Sequence, residues 1–251
     1  KQKHEIVKQN NALLEINNEK DKFFSIIAHD LKSPFNSIIG FNELLLEQIK
    51  IKDHQNIEKF ANLMLQSSNN AMNLLSNLMT WSQSQSGRME FNPVYFDLSD
   101  LLKEVIQLLN GVAEQKSIVI KNTISTEKKV FADKEMINTV IRNLISNALK
   151  YTDTNGIITI SVEENETNKL TVEVCDQGVG ISAERLEKLF DIKENLSTPG
   201  TQNEKGTGLG LILCKEFILK NLGKIWVEST VGVGSTFSFT LPIKIETVQK
   251  F

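Results

Sequence analysis

Residues 136–152, MINTVIRNLISNALKYT, decide the fold of the C-terminal part of this chain. Their apolar side chains recur every three to four positions, which predicts a helix with one face buried in a core. Asn143, Asn147, Lys150 and Tyr151 follow one another along one edge of that face. Amide oxygens suit a hydrated Mg²⁺ that already has phosphate ligands, and a lysine ammonium can meet phosphate charge. Two asparagines at this spacing are more often a solvated helix edge, so both interpretations stay open at this point.

Around this helix the pattern of the chain alternates between helix-like and strand-like. The strand-like runs that begin near residues 157 and 170 are separated by a short polar segment, as in a hairpin. The sheet is therefore predicted to be mixed, with helices on one face, and not a repeated parallel winding. The predicted strands cover residues 117–124, 157–162, 170–175, 224–228 and 236–241, and the predicted helices cover 98–112 and 134–151.

Glycines concentrate in the same part of the chain, where ten of the thirteen follow residue 155. The segment DQGVG, residues 176–180, ends a predicted strand. Gly178 and Gly180 permit backbone geometries and a close ligand approach that a Cβ would block. Asp176 can accept a hydrogen bond from an exocyclic amine such as that of adenine. An ordinary Asp-Gly turn is the common alternative.

A second glycine segment, GTGLGL at residues 206–211, opens a predicted apolar helix that runs to Leu222. Glycine-rich backbone at a helix N-terminus offers unpaired N–H groups and the positive end of the helix dipole, which favour phosphate. The chain contains no GxxxxGKS or GxxxxGKT motif, so a P-loop is excluded. The polar segment between Asp191 and Lys205 is either a mobile lid or a passive surface loop.

The front of the chain consists of long helical segments. Apolar residues repeat along residues 23–49 and again along 57–81, with a polar turn between them. Two such helices make an antiparallel hairpin, and because a lone hairpin cannot bury both stripes, pairing with a second copy into a four-helix bundle is expected. Residues 1–22 form a weak coiled-coil seam. An extended linker is predicted near Pro93, after the hairpin.

One histidine in the first of these helices has a distinctive setting. His29 is followed directly by Asp30, and Pro34 should bend the helix just after the histidine. An imidazole beside a carboxylate can be held in one tautomer, which leaves its other nitrogen free to act as a nucleophile. A solvated surface histidine near a kink is the plain alternative, and it is the only interpretation for His4 and His54.

Composition excludes several classes of protein. The formal net charge is −3 and the isoelectric point is near 5.8, so no global basic field attracts nucleic acid or an anionic membrane. Residues 60–87 lack charged side chains but carry too many Asn, Ser and Gln residues for a membrane span. No secretory signal begins the chain, and its two cysteines favour a reduced, cytoplasmic compartment. Since residue 1 is lysine, we expect a fragment from which any membrane anchor has been removed.

The four motifs, in this order and spacing, resemble the catalytic core of a sensor histidine kinase of two-component signalling. AHDLKSP resembles the phospho-acceptor box, NLISNALKYT the asparagine box, and DQGVG and GTGLGL the two glycine boxes. The resemblance covers about residues 23–242. It implies a multidomain α and α+β protein, whose C-terminal domain is an α/β sandwich of the Bergerat type with a mixed sheet. The implied domains are a coiled-coil signalling helix at 1–22, a dimerisation and phospho-acceptor hairpin at 23–88, a linker at 89–98 and a catalytic ATP-binding domain at 99–251.

The resemblance also implies a role for each matching residue. His29 would be the phospho-acceptor, with Asp30 orienting or deprotonating its imidazole. Asn147 would hold Mg²⁺ with help from Asn143, and Asp176 would read adenine. The implied nucleotide-binding set is Asn143, Asn147, Lys150, Tyr151, Asp176, Gly178, Gly180, Gly206, Thr207, Gly208, Leu209 and Gly210.

The activity implied is ATP-dependent autophosphorylation on His29, followed by phosphoryl transfer to an aspartate of a response-regulator receiver domain. The implied ligands are ATP and Mg²⁺, the implied partners are a second copy of the chain and the receiver domain, and no contact with nucleic acid or membrane is expected of this fragment. A different ATPase of the same fold would have no reason to place a histidine before a proline kink in a dimerising hairpin. A catalytically silent dimeric scaffold would not need every catalytic position filled.

Overall fold

The computed structural model describes residues 25, 27–28, 30–51, 55–86, 89–124, 126–165, 168–191, 198–202, 204 and 208–244. The predictions for residues 1–22 and for His29, Gly206 and Thr207 lie outside this described part. The chain divides into two compact units, Lys1–Gly87 and Arg88–Phe251. No helix within the described ranges is long and apolar enough to cross a membrane.

The first unit contains two long helices, α1 over residues 30–50 and α2 over Ile57–Gln85. The rings of Phe41 on α1 and Phe60 on α2 stack with their centroids 6.2 Å apart. This contact joins the two helices. The predicted N-terminal helical hairpin is confirmed.

Both helices of the hairpin carry more apolar residues than the single chain buries. Ala71, Leu74 and Trp81 on α2 are buried, as their predicted stripe requires. Phe35 and Ile49 belong to the predicted apolar seam of α1, yet they are 54% and 51% exposed. The hairpin therefore presents apolar surface that its own fold does not cover. Other exposed apolar residues of these helices are Ile39, Leu44, Leu46, Leu65, Met72, Leu75 and Met79.

The second unit is built on a mixed sheet. Its elements are, in chain order, β1 Pro93–Asp97, α3 Leu98–Gln115, β2 Val119–Asn122, β3 Lys129–Asp133, α4 Lys134–Tyr151, β4 Ile157–Glu164, β5 Lys169–Asp176, α5 Ala183–Leu186, α6 Gly210–Lys220, β6 Ile225–Thr230 and β7 Gly234–Pro242. Five strands form one sheet in the order β2-β4-β5-β7-β6, while β1 and β3 pair separately. β2 is parallel to β4 and the other neighbours are antiparallel. The predicted mixed sheet is confirmed.

The core of the second unit lies between this sheet and its helices. α4 contacts α3, α6 and β5. Full burial of one Ile or Leu side chain contributes about 1.5–3 kcal/mol, so the stripe of α4 is a large part of the stability of this unit. Asp133 sets the start of α4 because its Oδ1 accepts the N–H of Met136 at 3.1 Å. Fully buried side chains at this interface include Ile137, Val140, Ile141, Leu144 and Ile145 from α4 and Ile158, Ile160, Val172, Val174 and Phe239 from the sheet.

Two strands differ from the sequence prediction. Residues 93–97 lie inside the predicted linker 89–98 but form β1, which pairs along its whole length with β3. The rings of Tyr95 and Phe131 on these strands lie 4.8 Å apart. Neither strand was predicted, because Pro93 signals a loop and both strands are short and pair with a distant partner. α6 ends at Lys220, two residues before the predicted end, and Leu222 then adopts a positive φ of 59°.

Candidate functional site

The predicted asparagine edge lies along the second half of α4. Asn143, Asn147, Lys150 and Tyr151 are each half-buried, beside the fully buried stripe of the same helix. Their polar groups therefore lie at the border between core and surface. Eight residues of helix rise about 12 Å, so this edge is long enough to offer several separate contacts to one ligand of nucleotide size.

Asp176 supplies a buried carboxylate at the end of β5, where it is 5% exposed. Its Oδ1 atom accepts the N–H groups of Gly178 at 2.8 Å and of Ser235 at 3.2 Å. Burial raises the pKa of the Asp176 carboxyl, and the two backbone N–H groups offset that rise only in part. A buried carboxylate in this position is a fixed hydrogen-bond acceptor, and keeping it ionised there costs free energy.

The glycines of the first glycine segment allow this strand end to approach α4. A Cβ on Gly178 would lie 2.4 Å from the carbonyl oxygen of Tyr151. The N–H of Val179 donates to the same oxygen at 3.2 Å. Gly180 has a φ of +71°, and a Cβ there would lie 2.1 Å from the carbonyl oxygen of Thr230. Side chains at Gly178 and Gly180 are therefore excluded by the neighbouring backbone.

The second glycine segment brings the start of α6 against the same helix. A Cβ on Gly210 would lie 3.2 Å from Oδ1 of Asn143. Gly208 has a φ of +67°, which favours glycine, and Leu209 is buried. The first turn of α6 contains no acidic residue, so no carboxylate of that turn offsets the positive end of its dipole. The edge of α4 thus contacts one glycine segment through Asn143 and the other through Tyr151.

Lys150 and Tyr151 engage the segment that was predicted to be a lid or a surface loop. The Lys150 ammonium donates to the carbonyl oxygen of Thr198 and to the Tyr151 hydroxyl, both at 2.9 Å. It also lies 4.6 Å from the centroid of the Tyr151 ring. The Tyr151 hydroxyl donates to the Thr198 carbonyl at 3.0 Å. A phosphate that binds Lys150 would therefore have to replace protein contacts.

One residue at this site, Lys116, has no distinguishing signal in the sequence. Lys116 is 3% exposed, and its ammonium donates to the Leu149 carbonyl at 2.8 Å and to Glu204 at 3.0 Å. No motif includes this lysine, since it follows α3 in an ordinary turn. Only its burial in the folded chain distinguishes it from surface lysines.

Two family models match the chain one after the other. The model of the His Kinase A (phospho-acceptor) domain matches residues 19–87. The model described as histidine kinase-, DNA gyrase B-, and HSP90-like ATPase matches residues 132–245. The chain belongs to the sensor histidine kinase family. The family predicted from the four motifs is confirmed.

Named relatives match most of the length of this chain. The adaptive-response sensory kinase SasA of Crocosphaera subtropica is 34% identical over 233 residues, which cover 89% of this chain and 59% of that protein. The sensor histidine kinase WalK of Bacillus subtilis is 30% identical over 229 residues, covering 91% of this chain and 37% of that protein. The chain therefore spans less than two thirds of the length of these relatives.

A solved structure of the family is similar in fold to this chain. The crystal structure of histidine kinase ThkA in complex with the response regulator protein TrrA matches with a TM-score of 0.70 and 25% identity. The match covers 98% of this chain and 67% of that chain. The predicted fold class, a helical hairpin followed by an α/β domain with a mixed sheet, agrees with this neighbour.

The described part of the chain brings most of the predicted nucleotide-binding residues to one region around α4. Asp30, the predicted partner of His29, is half-buried on α1. Among the described residues, no group of three or more His, Cys, Asp or Glu side chains could hold a metal ion. The catalytic, nucleotide and metal roles of the individual residues stay predictions.

Proposed function

We propose that this chain is the catalytic core of a protein histidine kinase, which transfers the γ-phosphoryl group of ATP to His29 and from there to an aspartate of a response-regulator receiver domain. One observation carries the proposal: a phospho-acceptor domain is followed in the same chain by an ATPase domain. Within the latter, a buried carboxylate and two glycine segments surround the edge of α4.

The proposed nucleotide pocket has two chemically different ends, one for adenine and one for the phosphates. The Asp176 carboxylate accepts a hydrogen bond from the exocyclic amine of adenine, because it is buried and held in place by the N–H of Gly178. Gly178 and Gly180 keep the adenine end free of side chains. At the other end, the N–H groups at the start of α6 and the ammonium of Lys150 receive phosphate charge. Tyr151 lines the pocket between these ends, and Gly206, Thr207, Gly208, Leu209 and Gly210 form the phosphate loop.

Asn147 and Asn143 would hold Mg²⁺ together with the phosphates of ATP. The residues fit this ion, since both amides lie on one half-buried edge and amide oxygens are ligands that Mg²⁺ accepts beside phosphate. When bound, Mg²⁺ would neutralise charge on the phosphate oxygens. Asn143 lies beside Gly210, so it also sets the distance between α4 and the phosphate loop.

The reaction needs little covalent chemistry from the protein. One imidazole nitrogen of His29 attacks the γ-phosphorus, an N–P bond forms, and the bond from phosphorus to the β,γ-bridging oxygen breaks with release of ADP. Asp30 accepts the hydrogen bond of the other imidazole N–H and stabilises the positive charge that develops on the ring. Positioning and charge neutralisation provide most of the rate enhancement. The receiver aspartate then takes the phosphoryl group from the histidine.

The partners follow from the same proposal. The exposed apolar residues of α1 and α2 pair with those of a second copy, which forms a homodimeric four-helix bundle. The ThkA neighbour was crystallised with the response regulator TrrA, and a regulator of that kind is the proposed acceptor here. ATP and response regulators are both cytoplasmic, so the cytoplasm is the proposed compartment for this part of the protein.

Incubation with ATP labelled at the γ-phosphate tests the acceptor. The chain should become labelled, the label should be lost in acid and retained in base, and His29→Gln should abolish it. His54→Gln is the matched control, because it removes a histidine to which the sequence assigns no role. Normal labelling of the His29→Gln variant would show that the acceptor is elsewhere, and phosphate release without any labelling would favour a plain ATPase.

A further inference from the structure

We infer that Lys116 is a positioning residue of the nucleotide site, which fastens the segment of residues 198–202 and 204 to the C-terminal end of α4. The inference extends the proposed function, because α4 carries the residues that are proposed to bind ATP. Lys116 itself is not expected to contact the nucleotide. Its effect on ATP is exerted through the two segments that its ammonium holds together.

The first half of this anchor is the end of α4. The Lys116 ammonium donates to the carbonyl oxygen of Leu149 at 2.8 Å and lies 3.4 Å from that of Lys150. The last carbonyls of a helix have no partner within the helix and carry the negative end of its dipole. A buried cation therefore meets there the acceptors and the charge that it needs to stay in the interior.

The second half of the anchor is the segment of residues 198–202 and 204. The same ammonium donates to the Thr201 hydroxyl at 2.7 Å and to Oε1 of Glu204 at 3.0 Å. Oε2 of Glu204 accepts the N–H of Gln202 at 2.7 Å, so the carboxylate also shapes its own turn. Burial alone would raise the pKa of Glu204, but the hydrogen bonds from backbone N–H groups and from Lys116 lower it, so this carboxyl is ionised at neutral pH.

Further hydrogen bonds join the segment to the end of α4 or hold the segment's own turn. The N–H of Thr201 donates to the Lys150 carbonyl, and its hydroxyl donates to the Thr152 carbonyl, both at 3.0 Å. The N–H of Gly200 donates to the Glu204 carbonyl at 2.9 Å. A Cβ on Gly200 would lie 2.5 Å from Cγ of Lys150. The segment and the helix end are thus packed as one structure.

This structure includes the side chains proposed to meet phosphate. Thr198, in the same segment, accepts hydrogen bonds from Lys150 and Tyr151. If the anchor is released, the Thr198 carbonyl moves away from these two groups, and their side chains gain freedom that ATP binding must then remove. The expected consequence is weaker binding of ATP with little change in the rate of the chemical step.

Hydrogen exchange without nucleotide tests the anchor directly. In Glu204→Gln, the peptides that contain the amides of Gly200 and Thr201 should exchange about tenfold faster, since an ion pair with a buried lysine is lost. Glu127→Gln is the matched control, because Glu127 pairs with Lys129 at 3.1 Å on the surface, and it should leave these peptides unchanged. Lys116→Met should act like Glu204→Gln, although loss of the buried lysine could also impair folding. The Glu204 variant therefore decides the question if Lys116→Met does not fold.

Kinetics then test the link to ATP. Glu204→Gln should raise the KM for ATP about tenfold and leave kcat within about twofold, and Glu204→Asp should recover part of the loss, because it keeps the charge. Unchanged exchange at Gly200 and Thr201, or a fall in kcat with an unchanged KM, would refute the positioning role. If the wild-type chain does not bind ATP, the proposed function fails, yet the exchange experiment still reports whether Lys116 and Glu204 fasten the segment.

Discussion

At the scale of single residues, Asp176 and Lys116 are two buried ionisable side chains of the candidate site with different sets of partners. The Asp176 carboxyl is buried with a raised pKa. The Lys116 ammonium is buried too, but it has two helix carbonyls and an ionised glutamate as partners. The buried Lys116 is therefore suited to a structural role. Burial of the ionised Asp176 carboxylate costs free energy, which a hydrogen-bond donor on a ligand can offset.

Asp176→Asn separates the functional role of this residue from its structural one. An amide oxygen can still accept the N–H groups of Gly178 and Ser235, so the domain should stay folded, with a free energy of unfolding within about 1 kcal/mol of wild type. Affinity for ATP should fall about tenfold or more, because a charged acceptor of the adenine amine is lost. Calorimetric titration with ATP measures this, and unchanged affinity would remove Asp176 from the adenine site.

The raised pKa of Asp176 also predicts how stability varies with pH. Its folded-state pKa lies above its unfolded value, so its contribution to stability is present below the unfolded pKa and is lost as the pH rises through the folded pKa. The wild type should therefore gain stability relative to Asp176→Asn as the solution is acidified. Urea unfolding of both proteins across that pH range gives the difference, and the opposite slope would contradict the assigned cause.

At the scale of elements, α4 is the helix on which the second unit depends. One face of it is buried in the core, and its neighbouring edge carries the proposed ligands of ATP. Gly210 packs against Asn143 of the same helix, and the Leu149 carbonyl at its C-terminal end accepts a hydrogen bond from the Lys116 ammonium. Packing and ligand binding are therefore coupled through one rigid element, which is how a site keeps its geometry without ligand.

A cavity in this helix should affect the whole unit. Leu144→Ala removes a side chain that is 0% exposed and should lower the free energy of unfolding by about 2–5 kcal/mol. Leu108→Ala on α3 is the matched control, since Leu108 is 65% exposed and should change stability by less than about 0.5 kcal/mol. Urea titration followed by circular dichroism measures both variants. Equal losses would mean that the core does not lie where the structure has it.

At the scale of the whole molecule, the two units differ in how much of their apolar surface they bury within one chain. The second unit buries its helices on its own sheet. The hairpin of the first unit leaves many apolar side chains of α1 and α2 exposed, Phe35 and Met72 among them, at 54% and 62%. A monomer rarely exposes so many apolar side chains on two long helices, so the proposed dimer is the expected way to cover them.

Charge on this face should separate the dimer without harming the nucleotide domain. Met72→Lys combined with Leu75→Lys places two cations on the exposed face of α2, and the variant should sediment as a monomer where the wild type is a dimer. Its affinity for ATP should match wild type within about twofold, because the second unit has a core of its own. Leu108→Lys, on the exposed face of α3, serves as control and should stay dimeric. A dimeric double variant would place the dimer contact elsewhere.

Much of this molecule could be predicted from its sequence because the informative signals are local. The period of apolar residues predicts a helix over 134–151, and α4 has these bounds. The glycine segments were also recognisable, since Gly180 and Gly208 have positive φ values that the sequence marks with glycine. The four motifs, read in order, were sufficient for the family.

Only the tertiary structure decided the features that depend on partners distant along the chain. β1 and β3 pair across more than thirty residues, and neither strand carries a pattern strong enough to reveal itself alone. Lys116 contacts Glu204, 88 positions away, and nothing in its local sequence separates it from a solvated lysine. The sequence by itself determined which helices and turns form, because those depend on neighbouring residues; the fold decided which charged side chain is buried and what it holds, because burial depends on how all the elements pack together.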